Sequence, residues 1–151
     1  SAIVLVERRF GIEIPCSAQP NSTGVPGELA AFGSTFVSIG NLRFVASSLP
    51  ANAFGYLGCS TTPAFVPNAG GSTGNLCLGG DVGRFDAQVA SSGAAGVIET
   101  IVDLDAIPQP TGAVAAMVGD VWRFQLWHRD VASGGTGVTS NFTKGIEVTL
   151  R

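Results

Sequence analysis

The alternation running through residues 119 to 151, GDVWRFQLWHRDVASGGTGVTSNFTKGIEVTLR, constrains this chain more than any other feature. In an extended strand successive side chains point to opposite faces. Between Val121 and Arg129 that rule puts Trp122, Phe124, Leu126 and His128 on one face, and Val121, Arg123, Gln125, Trp127 and Arg129 on the other. The last strand repeats the pattern, with Ile146, Val148 and Leu150 inward and Glu147, Thr149 and Arg151 outward. Two such segments joined through a Gly/Ser/Thr-rich stretch belong to a sheet with one face in the core.

The rest of the chain is written in the same way. Turn signals recur at short spacing, at 20–27, 48–55, 66–75, 91–96, 107–112 and 132–137, as in sandwiches and barrels. Between them strands are expected near 2–7, 28–38, 41–47, 53–60, 74–78, 82–89, 96–104, 121–129 and 145–151. No segment holds a 3.6-residue period over three turns, so helix is limited to one turn near Gly112 to Met117. With 45% hydrophobic residues, 13% charged residues and 21 glycines, the chain is too apolar for disorder and too poor in strong helix formers for a bundle. About nine antiparallel strands must stack or close to hide their apolar faces. The expectation is an all-β, two-sheet antiparallel sandwich, jelly-roll or immunoglobulin-like, with a barrel as the alternative.

Composition also removes function classes. The chain has 8 Lys and Arg against 11 Asp and Glu, a net charge of −3, and no basic stripe that would neutralise phosphates. Nucleic acid is therefore not an expected partner, and no apolar run reaches the roughly 20 residues of a membrane helix. His128 is the single histidine, and Cys16, Cys59 and Cys77 match no zinc spacing. The three cysteines allow one disulfide plus a free thiol, or three buried thiols. No cofactor is expected. The one ion left open is calcium, through carboxylates such as Asp103 and Asp105 with loop carbonyls.

Motifs that carry catalysis elsewhere have plain explanations here. His128-Arg129-Asp130 spells a kinase catalytic loop, yet no glycine-rich phosphate loop or strand lysine precedes it. The glycines of GGSTGN at 70–75 lack the lysine and helix of a phosphate loop. Asp103 and Asp105 could serve glycoside hydrolysis only across a cleft from one another, and they read instead as solvating a strand end. Asn21 and Asn141 each begin a glycosylation triplet and sit beside turn signals, where an Asx-type turn uses the side chain. The chain is not expected to be an enzyme.

Two features suggest partners. Trp127 lies on the polar face, where a large ring with Arg123, Gln125 and Arg129 around it could form a carbohydrate-binding platform; stacking of Arg129 on the ring is the structural alternative. Ala2 to Val6 is apolar on both faces, so it must be a central strand or be covered by another copy through strand addition.

From Cys16 onward the chain resembles a largely uncharacterised β-rich domain of large exported proteins from planctomycete-like environmental bacteria. The matching blocks are CSAQPNSTG at 16–24, FGYLGCSTTPAFVPNAGGSTGNLCLGGDVGRF at 54–85 and VWRFQLWHRDVASGGTGVTSNFTKGIEVTL at 121–150. The resemblance implies export, a surface or adhesive role, and no catalytic residues. It also implies a Cys16–Cys77 disulfide with Cys59 left as the thiol, Cys59–Cys77 being the other pairing. Residues 1–15 then read as an apolar extension ahead of a sandwich domain at 16–151. Beginning at Ser1, the chain looks like a mature product whose export signal has been removed, and an extracellular or cell-surface location is expected. The leading expectation is a self-assembling structural subunit of a filament or surface layer, in which Ile3, Val4, Leu5, Val6 and Phe10 enter a neighbouring copy. The alternative is a lectin-like module of a secreted protein that binds a glycan through Arg123, Gln125, Trp127 and Arg129.

Overall fold

A computed structural model describes residues 8–132 and 134–151. It is all-β, and the sheets are antiparallel and packed as a sandwich. The larger sheet is built on β10 (Val121–Val131), flanked by β4 (Phe54–Ser60) on one side and by β11 (Val138–Phe142) and β12 (Ile146–Thr149) in succession on the other. Its borders are the short β1 (Ile12–Glu13) on β12, and β7 (Gly83–Arg84) and β8 (Ala90–Ser91) on β4. The smaller sheet has the order β2 (Glu28–Phe32), β3 (Arg43–Ser47), β9 (Ile98–Ile101). A separate hairpin, β5 (Thr62–Pro67) with β6 (Asn75–Gly79), lies against the larger sheet.

The alternation read from the sequence places the core. Trp122, Phe124, Leu126 and His128 are all buried, as are Ile146, Val148 and Leu150. They meet Leu29, Ala31, Phe44, Ala46 and Ile98 of the smaller sheet in one apolar cluster. The rings of Phe44 and Phe124 lie 4.2 Å apart between the sheets. Burial of each such side chain contributes about 1.5–3 kcal/mol.

Strand number and placement differ from the expectation in several respects. β5, β8, β11 and the two-residue β1 are additional strands, because Pro63, Pro67 and the glycines near 134–137 read as loops although edge strands tolerate them, and the strand expected over 82–89 shrinks to β7, since the backbone turns at Asp86–Gln88. Between Gly112 and Met117 there is no helix; Val114 instead forms a bridge with Ile107. Single 3-10 turns occur at Ala69–Gly71 and Asp86–Gln88.

The described part of the N-terminal extension is docked on the domain. Phe10 donates its N–H to Ala31 O at 3.2 Å and packs at the margin of its own chain's core. At Gly11 (φ 87) the chain crosses to the other sheet, where a Cβ would fall 2.6 Å from Ile146 Cγ2, and Ile12 and Glu13 then pair with Glu147 and Ile146. Ile3, Val4, Leu5 and Val6, the remainder of the expected assembly strand, lie outside the described residues.

Edges that remain are blunted locally. Gln88 mimics a strand against β9, donating to Ile101 O at 2.7 Å and accepting from Ile101 N at 2.9 Å. Asp105 N bonds Asp103 Oδ1 at 2.9 Å, so these acids finish a turn after β9. Asn21 does form an Asx turn with Thr23 N. Asn141 differs: it is buried inside β11, with its amide donating to Gln19 O and Pro20 O.

Candidate functional site

The outward face of the larger sheet is only partly solvated, because the β5–β6 hairpin covers it. Three ties hold the hairpin down. Cys16 and Cys77 form a disulfide across 61 residues, the pairing that the resemblance implied. Gln125, expected on a solvent-facing ligand surface, is buried beneath β6; its Oε1 accepts from Cys77 N at 2.9 Å, and its Nε2 donates to Asn75 O and Thr143 O, both at 2.9 Å. At the hairpin's tip, Ser72 Oγ and Thr73 N donate to Ser140 O of β11. Both amide N–H groups of Gln125 are used in these bonds and its oxygen holds the Cys77 N–H, so the side chain anchors the hairpin.

Beyond the covered area a cleft of about 320 Å³ opens between the hairpin and the sheet. Register builds one of its walls. Trp127 is directly opposite Tyr56 on β4 and Phe142 on β11, which makes a cross-strand aromatic row. The Tyr56 and Trp127 rings stack with centroids 5.1 Å apart and planes at 29°, a contact worth about 0.5–1.5 kcal/mol beyond area burial. The next row places Gly58 between Gln125 and Arg84. A Cβ on Gly58 would come within 3.2 Å of Leu78 Cδ1, so a side chain there would press on the hairpin and fill part of the floor. Leu76 and Leu78 supply the opposite, apolar wall.

Two guanidiniums flank the aromatic pair. Arg84 Cζ stands 5.8 Å from the Tyr56 centroid, and Arg129 Cζ stands 5.3 Å from that of Trp127. Both arginines are exposed. Stacking on a ring fixes the plane of a guanidinium while leaving its in-plane N–H donors free.

Of the four residues expected to form a ligand face, Trp127 and Arg129 line the cleft together and Gln125 lies in its buried base. Arg123 does not join them: it pairs with Glu147 at 3.0 Å and donates to Thr61 O at 2.6 Å. Tyr56 and Arg84 were not singled out from the sequence. Alternation put them on strands, but their meeting with Trp127 depends on the pairing of β4 with β10 and β7.

Two titratable side chains singled out from the sequence lie away from the cleft, in the core. His128 faces the core; burial lowers its pKa, partly offset by the Arg129 carbonyl bonded at its Nδ1 and by the Asp130 charge. Its Nε2 is enclosed and has no hydrogen-bond partner, so no substrate reaches it. Burial pushes the Cys59 thiol up to about 12, which keeps it protonated and unreactive. Among the described residues no three His, Cys, Asp or Glu side chains are gathered as a metal site, and no described helix is long and apolar enough to cross a membrane.

Fold and cleft together define a class: a disulfide-tied β-sandwich with an aromatic and arginine-lined groove on its outer sheet face. No protein-family model, curated protein or solved structure matches this chain.

Proposed function

We propose that the domain is a non-catalytic carbohydrate-binding module of an exported or surface-located protein. The observation that carries this reading is the stacked, half-buried Tyr56–Trp127 pair lining an open cleft of about 320 Å³, at the small end of ligand sites. A pyranose presents C–H groups on one face and hydroxyls around its rim. Aromatic and leucine walls match the first, and arginine donors with the Ser140 region match the second. The resemblance of residues 16–150 to domains of exported proteins supports the location.

Calorimetric titration of neutral and acidic oligosaccharides against the full chain tests the reading. At least one glycan class should bind, and Trp127→Ala should weaken it tenfold or more, about 1.4 kcal/mol, while the thermal transition stays cooperative. Equal binding by Trp127→Ala, or no glycan bound by the parent, would remove the proposal.

Self-assembly by strand addition is a second reading. It is favoured by the apolar run at 2–6, whose side chains need cover on both faces of a strand. Head-to-tail insertion would generate a fibre rather than a closed ring. Because Phe10 belongs to its own core, deletion of residues 1–7 is the cleaner variant. Negative-stain images should show fibres from the full chain and dispersed particles from the deletion variant; fibres from both would end this reading.

A further inference from the structure

The charge around the cleft is uneven in a way that narrows the ligand. Three described cations sit against carboxylates: Arg43 with Glu99 at 3.6 Å, Arg123 with Glu147 at 3.0 Å, and Lys144 with Glu28 at 2.7 Å. Arg84 and Arg129 have no carboxylate partner among the described residues, yet both line the same cleft, and no Asp or Glu lines it with them. In a chain of net charge −3, that leaves one groove with two cations and no counter-charge of its own. Each guanidinium is also held near an aromatic ring, which restrains it before any ligand arrives and reduces the ordering lost on binding.

Resting on the sugar-binding reading, we infer that the cleft selects an anionic glycan, one whose sugar carries a carboxylate or a sulfate. The ring of such a sugar packs beside Tyr56 and Trp127, and its anionic group accepts from the N–H forks of Arg84 and Arg129. A planar guanidinium donates two parallel bonds to a carboxylate or sulfate, which gives direction as well as energy. Neutral sugars offer the two guanidiniums hydroxyls but no counter-charge, so the difference between charged and uncharged forms is where the selectivity lies.

The test titrates the full chain, by calorimetry, with trigalacturonate, its methyl ester and a sulfated dextran oligomer, beside inorganic polyphosphate as a sugar-free anion. At least one anionic sugar should bind at least tenfold tighter than the ester. Arg84→Gln and Arg129→Gln should each remove most of that margin, weakening the acidic ligands several-fold more than the ester, and added salt should weaken mainly the acidic ligands. Preference for galacturonate over sulfated dextran, or the reverse, identifies which anionic group is read. If ester and acid bind alike and the arginine variants bind as the parent does, anion selectivity is overturned while sugar binding stands. If polyphosphate binds as well as the sugars and Trp127→Ala leaves all affinities unchanged, the groove is a plain polyanion site and both readings fail.

Discussion

Replacing Cys16 and Cys77 together by serine, in a Cys59→Ala background that prevents re-pairing, is expected to lower the unfolding free energy by roughly 4 kcal/mol. The bond closes a loop of 61 residues, and the entropy that such a crosslink removes from the unfolded chain grows with the logarithm of loop length. For a domain of 151 residues that corresponds to a fall of about 10 °C in thermal midpoint. The loss should be local as well as global. Cys77 sits in the middle of β6, so the hairpin that walls the cleft loses its covalent tie, and ligand affinity should fall along with stability. Matching denaturation midpoints for the serine variant and its Cys59→Ala parent would show that the disulfide contributes little.

Gln125→Leu is expected to destabilise the domain by roughly 3 kcal/mol, although leucine is close in size and more apolar. The reason lies in the partners left behind. The Cys77 N–H and the Asn75 and Thr143 carbonyls all bond to this one buried amide, and a buried polar group without a partner costs about 1–3 kcal/mol. The three lie on β6 and on the segment between β11 and β12, so the substitution loosens the hairpin and the strand exchange beside β10 at once. Urea denaturation read by tryptophan fluorescence measures the effect. A variant within about 0.5 kcal/mol of the parent, the range of ordinary surface changes, would mean that water replaces the amide and that the network is not structural.

Gln125 also shows how far reading along the chain could go. Period-two alternation assigned it correctly to the face opposite Phe124 and Leu126, and nothing local distinguished it from Arg123 or Arg129 on that face. Its burial follows from a hairpin 50 residues earlier folding over the sheet. Trp127 was visible for the opposite reason, since a large ring on a polar face is a local anomaly. The partners that make it a site, Tyr56 across the strand and Arg84 beyond it, have no such signature. Asn141 marks the same boundary from another side: beside a glycine-rich stretch it looked like a turn residue, whereas β10 continues far enough to draw 138–142 into the sheet.

The sequence by itself determined the all-β class and the inward and outward faces of β10 and β12. Those properties depend on the identity and spacing of neighbours within a few residues. Only the tertiary structure decided which outward residues stay exposed, which cysteine meets Cys77, and which arginines converge on Trp127, because each depends on contacts between strands far apart in the chain. In a sandwich the face of a strand is a local matter, but what covers that face is chosen by strand order, and strand order follows from the joint burial of every apolar face at once.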